Sequence, residues 1–174
     1  MNSKNYYVCT AIPYVNDKPH LGHAILHLYA DVLARYNRQL GSNVLFNIGT
    51  DEHGGKIAEV AAKGGVDPKQ FADEISQKFR GGLASLNISS DRFVRTTDPQ
   101  HEKIAAIIWK QLEKDIYKKS YTGWYCVGCE AYYTETQVKD LGGICPHHNR
   151  AFDKLEEENY FFKLSSYGDA IRDE

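Results

Sequence analysis

The sequence predicts an α/β fold: a parallel sheet wound with helices, followed by a small metal-binding insert. Three observations predict it. Apolar segments of strand length alternate with helix-period segments from Asn5 to about Asp115. A histidine pair, His20 and His23, stands where the first strand gives way to the first helix. Beyond Asp115, two short ligand pairs, Cys126/Cys129 and Cys145/His148, lie fifteen residues apart.

The elements follow in order. Residues 5–12 (NYYVCTAI) are β-branched and aromatic and read as a buried strand. A turn rich in Pro, Asn and Asp runs from Pro13 to Pro19. Leu21, Ile25, Leu28, Val32 and Tyr36 then recur at three and four residues, one face of a helix reaching about Leu40, and Gly41 stops it. Val44–Ile48 is a second strand, Gly49–Gly54 a loop, and a helix continues to Lys63 before Gly64-Gly65 breaks it. Asp67-Pro68 caps a third helix whose apolar face is Phe71, Ile75, Phe79 and Leu83. Residues 92–96 form a third strand, and Asp98-Pro99 opens a helix with Ile104, Ile107, Ile108 and Leu112 as its stripe. After Asp115 the chain turns aromatic and hairpin-like over 116–125, and Asn159–Leu164 is a last strand. The organisation is therefore 1–115 for the wound sheet and 116–174 for the insert.

With 174 residues, 42% hydrophobic, 25% charged and a net charge of −2, the chain suits a well-packed domain without a bulk basic surface for nucleic acid. No segment is long and apolar enough to span a membrane, and MNSKNYYV lacks the apolar core of a secretory signal. Three of the four cysteines lie in metal spacing, which fits a reducing cytoplasm better than a disulfide scaffold. Each knuckle turn aims two side chains at one point, and two such turns make a tetrahedron of thiolates and imidazole. Cys126, Cys129, Cys145 and His148 complete it, with His147 as a substitute for His148. Four protein ligands leave no open position, so the zinc is expected to be structural.

In an open parallel sheet, ligands bind at the carboxyl ends of the strands. A helix N-terminus there offers free N–H groups to a phosphate. His20 and His23 add hydrogen-bond donors, and Gly22, lacking a Cβ, lets a flat base lie against the backbone. The constellation points to nucleotide binding with charge stabilisation. The bland alternative is a pair of capping or surface histidines. Tyr14 also reads as a core tyrosine, Asp51 as a helix cap, and Glu52 and His53 as loop-shaping residues.

PHLGH (Pro19–His23) resembles the HIGH signature of class I aminoacyl-tRNA synthetases. GTDEHG (Gly49–Gly54), YTGWYCVGCEAYYTE (Tyr121–Glu135), CPHH (Cys145–His148) and NYFFKL (Asn159–Leu164) follow in order and resemble the methionine-specific, one-knuckle members of that family. The resemblance covers nearly the whole chain. It implies a Rossmann-like sheet, the first half of the synthetase nucleotide-binding fold, with 116–174 as the start of the connective peptide. It implies that His20 and His23 contact the ATP phosphates and act catalytically, with Gly22 packed on the adenine side. It implies that Ile12, Tyr14 and Asp51 hold methionine, Asp51 through the substrate ammonium. It further implies magnesium with ATP, tRNA-Met as partner, and methionyl-adenylate formation. The family's KMSKS signature has no match, and Lys163-Leu-Ser-Ser166 is a poor echo of it. The chain therefore reads as an N-terminal fragment, expected to self-associate or to need a complementing chain. The alternative is a zinc-stabilised, non-catalytic module that docks on RNA or protein.

Overall fold

A computed structural model describes residues 4–173. The described chain divides into two compact units, the first ending at Lys103 and the second beginning at Ile104.

In the first unit, β1 (Asn5–Cys9), β2 (Asn43–Thr50) and β3 (Arg92–Arg95) form a parallel sheet in the order β1-β2-β3. Val8 lies opposite Phe46, and Ile48 opposite Phe93. Helix α1 (Leu21–Gln39) connects β1 to β2, and α2 (Gly55–Lys63) and α3 (Pro68–Ser85) connect β2 to β3. Parallel neighbours require such crossovers, which is why the helical periods alternate with the strands along the sequence. Asp67 caps α3, its carboxylate accepting the N–H groups of Lys69 and Gln70, and Pro68 fills the first helical position. Ile75, Phe79 and Leu83 are buried on α3 as its periodicity predicts. Val8, Ala30, Ala34, Phe46, Ile48 and Leu83 make one core cluster, and Val15, Ile57, Ala72, Ile75 and Phe79 make a second.

Two expectations need correction. The first strand ends at Cys9, not residue 12: from Cys9 opposite Asn47 to Tyr14 opposite Asp51 the chain advances five residues against four, so one extra residue breaks the ladder before it rejoins the sheet as a single parallel bridge. The regular apolar stripe of α1 does not face the sheet. Leu21 is 81% exposed and Val32 63%, whereas the buried side carries His27, Ala30, Asp31 and Ala34. Small alanines let the helix lie close on the sheet, and Asp31 is buried because it accepts hydrogen bonds from the Ser89 backbone and hydroxyl.

The second unit is built on an antiparallel sheet. Residues 116–125 are hairpin-like only at their far end, where Trp124 and Tyr125 lie antiparallel to Tyr133 and Tyr132. They belong to β4 (Ile116–Cys126), which pairs along its length with the distant β8 (Asp153–Phe162), from Ile116 opposite Phe162 to Tyr125 opposite Asp153. Between them, β5 (Ala131–Tyr133), a short helix (Glu135–Asp140), β6 (Ile144–Cys145) and β7 (Arg150–Ala151) wrap a small core of Cys126, Val138, Cys145 and Phe152. Among the described residues no helix is long and apolar enough to cross a membrane.

Candidate functional site

Helix α1 starts at Leu21 because a histidine caps it. His20 is extended, and its Nδ1 accepts the backbone N–H of Gly22 at 3.1 Å. The backbone N–H of His20 donates in turn to His23 Nδ1 at 3.3 Å. The two side chains thus complete a reciprocal capping box, a role usually filled by Ser or Thr with Glu or Gln. A spacing of three is what this box requires. The rings stack at 3.8 Å between centroids. Since each Nδ1 accepts, the proton of each neutral ring resides on Nε2. The pair therefore offers two Nε2–H donors beside the free N–H groups of a helix N-terminus. Burial, aided by the neighbouring His20, holds the His23 pKa below the usual 6.5. Gly22 has its own reason to lack a Cβ, which would lie 2.9 Å from His20 Cε1.

Ile12, Tyr14, Lys18, His20 and His23 line one cavity of about 450 Å³. Asp51 and Gly22 are not in its wall. Asp51 adjoins it through the backbone: its N–H donates to Pro13 O at 2.9 Å, and Val15 N–H donates to Asp51 O at 3.1 Å. On the other side of the histidine pair, His20, His23, His27, Phe79 and Leu83 line a second, apolar cavity of about 450 Å³. His27 is 3% exposed with no partner for Nδ1, and burial, then the charge of His23, lowers its pKa. Sequence reasoning missed His27, although its place four residues beyond His23 puts it on the same helix face.

The GTDEHG loop holds a second element that sequence reasoning undervalued. The Glu52 carboxylate is completely enclosed and accepts Arg95 Nε and Nη2, each at 2.7 Å, with Thr50 Oγ1 at 2.7 Å and Thr97 Oγ1 at 2.5 Å. Burial pushes its pKa up, but these donors outweigh it and leave the pKa below the ordinary value. Arg95 also donates to Asp73 on α3 at 2.5 Å. His53 lies 3.2 Å from Thr96 O. Arg95 is 43 residues from Glu52, so no local signal announces the pair.

In the second unit, the ligand atoms of Cys126, Cys129, Cys145 and His148 all lie within 4.8 Å of one another. Cys129 Sγ is 3.5 Å from Cys145 Sγ and 3.3 Å from His148 Nδ1, and Cys145 Sγ is 3.8 Å from that Nδ1. A tetrahedral zinc with bonds near 2.3 Å to sulfur has edges of roughly 3.8 Å, so the donor set fits that ion. Both knuckles close the same way, with the following residue in the left-handed region: Glu130 at φ 51° and Asn149 at φ 47°. Burial opposes ionisation of Cys145, but hydrogen bonds from His148 and from the His147 backbone bring its pKa down to about 6. His148, not His147, completes the cluster.

Residues 6–158 match the family described as tRNA synthetases class I (M). The methionine–tRNA ligase of Caldanaerobacter subterraneus subsp. tengcongensis is 44% identical over 170 residues, which cover 97% of this chain and 26% of that protein. The methionine–tRNA ligase of Thermotoga maritima is likewise 44% identical over 170 residues, covering 95% of this chain and 27% of its own length. Mycobacterium tuberculosis methionyl-tRNA synthetase in complex with methionyl-adenylate superposes with a TM-score of 0.88 at 40% identity, over 97% of this chain and 34% of that one. The chain thus spans about a quarter to a third of the proteins it matches. With the parallel sheet, the histidine-capped first helix and a family match running almost end to end, this chain belongs to the class I tRNA synthetases of the (M) group.

Proposed function

We propose that the chain is the methionine- and ATP-binding N-terminal segment of a methionine–tRNA ligase. One observation carries this reading: the histidine pair and the Ile12–Tyr14 segment line one cavity, and a backbone bridge joins Tyr14 to Asp51 beside it. His20 and His23 donate their Nε2–H groups to the ATP phosphates and stabilise charge as it develops there. Gly22 lies on the adenine side. Ile12 and Tyr14 contact the methionine side chain, and Asp51 receives its ammonium. The methionine carboxylate then attacks the α-phosphate, giving methionyl-adenylate and pyrophosphate. The methionyl group passes from there to a hydroxyl of tRNA-Met, with AMP as the leaving group.

Magnesium would accompany ATP and would offset the charge of its phosphates. Cys126, Cys129, Cys145 and His148 hold zinc, which as a closed four-ligand site cross-links the two knuckles and takes no part in the chemistry. Residues 1–115 serve as the first half of the nucleotide-binding domain and 116–174 as the start of the connective peptide. The reduced thiol cluster suits a reducing compartment, and we assign the protein to the cytoplasm. The exposed apolar stripe of α1 supports self-association or pairing with a complementing chain.

Pyrophosphate exchange into ATP, with each amino acid added singly, tests the whole reading. Calorimetry with methionine tests the half-site alone. Methionine binding that Asp51→Ala abolishes is the expected result. Methionine binding that survives Asp51→Ala removes the pocket assignment, and a chain that responds to zinc but to neither ligand is an interaction module instead.

A further inference from the structure

Two adjacent carboxylates leave β2 in opposite circumstances. Asp51 is half-buried beside the cavity, and its carboxylate makes none of the bonds that hold Glu52. Glu52 is turned inward and enclosed by Arg95, Thr97 and Thr50. The backbone on either side is fixed as well. Glu52 N–H donates to Thr96 Oγ1 at 2.8 Å, and Thr96 N–H donates to Thr50 O at 3.2 Å. Asp51 exchanges hydrogen bonds with Pro13 and Val15 on the opposite side.

In extended backbone, successive side chains point to opposite faces. Locking Glu52 inward therefore holds Asp51 outward, and a flip of one exchanges both. Stability alone does not account for such a pair, because a buried ion pair is often replaced by apolar side chains without loss. What an apolar pair would not supply is the anchoring of Arg95 to both Glu52 and Asp73, which ties the loop to β3 and α3 together.

We propose that Glu52 is a positioning residue for the amino-acid subsite, fixing through Arg95 and Thr97 the backbone that aims the Asp51 carboxylate at the substrate ammonium. The inference rests on the reading of Asp51 given above. Glu52→Gln keeps the shape but replaces one acceptor with an N–H group that faces donors already in place.

The test is calorimetric titration of the chain with L-methionine and, separately, with 4-(methylsulfanyl)butanoate, which is methionine without its amino group. In Glu52→Gln the affinity for L-methionine falls roughly tenfold while that for the desamino acid is unchanged. Asp51→Asn abolishes the preference for the amine, and the double variant loses no more than Asp51→Asn alone. Equal weakening of both ligands in Glu52→Gln, or losses that add in the double variant, overturns the proposal and leaves Asp51 in place. A wild-type chain without preference for the amine, or a preference that persists in Asp51→Asn, removes the Asp51 reading and this inference with it. Should Glu52→Gln not fold, Thr97→Val decides: it deletes one hydrogen bond and should lower the same preference about threefold. No change there overturns the proposal.

Discussion

Gly128 lies so close to His148 that a Cβ at residue 128 would sit 2.4 Å from the ring's Cγ. The first knuckle must therefore turn without a side chain for the imidazole of the second to reach the thiolates. Gly128→Ala should push His148 out of the ligand set while leaving three thiols. Zinc affinity, read by competition with a chromogenic chelator, should fall by at least tenfold. Unchanged affinity would show that the imidazole is not a ligand.

Chelation should be felt locally. The small core of the second unit contains two of the ligands, Cys126 and Cys145, both fully buried. With zinc held as proposed, its removal would leave thiols packed among Val138 and Phe152 without their cross-link. Amide exchange after chelation should accelerate over 126–152 and stay slow in β1, β2 and α3. Uniform acceleration through both units would contradict this.

The capping box separates two roles of His20. Asparagine is a good N-cap and alanine a poor one, and neither provides the imidazole Nε2–H. His20→Ala should destabilise the fold by about 1 kcal/mol in denaturant titration, and His20→Asn by a few tenths. Both should lose ATP binding alike. If His20→Asn binds ATP normally, the ring donor is not used.

Acid should unfold the protein in two stages. His23 and His27 are held below 6.5 when folded, chiefly by burial. As pH falls past 6.5 the unfolded chain takes up these protons first, so stability declines from there down to the folded pKa values. Glu52 and Asp31 are held below 4.5 and 3.8. Burial raises each, but Arg95, Thr97 and Thr50 outweigh it at Glu52, and Ser89 and Arg35 at Asp31. Their contribution is present above those values and is lost as pH drops through the folded pKa values. A plot of Tm against pH should show both declines, and His27→Asn should shrink only the upper one. A single decline below pH 4.5 would refute the histidine assignment.

The outward stripe of α1 should make the isolated chain associate. Ile25→Glu with Val32→Glu places charge on it without touching the buried face. Sedimentation velocity should show a shift toward monomer, with stability changed by less than about 1 kcal/mol. Association that persists in the double variant would place the contact elsewhere.

Where a signal was local, the sequence was enough. Asp67-Pro68 announced the start of α3, the CxxC and CxxH spacings announced the metal cluster, and the strand-helix alternation announced a parallel sheet. Periodicity showed that α1 is a helix with an apolar side but not which way that side points. That depends on what the helix packs against, and two alanines with a hydrogen-bonded aspartate suffice for the sheet. The long β4–β8 pairing was likewise invisible, because Tyr117 meets Phe161 across more than forty residues of chain. At the candidate site, the histidine pair stood out by spacing. Glu52 did not, since its meaning comes from Arg95 and Thr97, which only the fold delivers.

The tautomer fixed by the histidine cap carries a consequence for ionic strength. A ring nitrogen that accepts a backbone N–H holds no proton, so on the reading proposed above both imidazoles would meet an anion as oriented dipoles. Salt screens charges more than it screens short, oriented hydrogen bonds. Among the described residues the cavity wall carries one formal cation, Lys18, and one formal anion, Asp17, so the sensitivity to salt of an anionic ligand there should follow the balance of those two side chains.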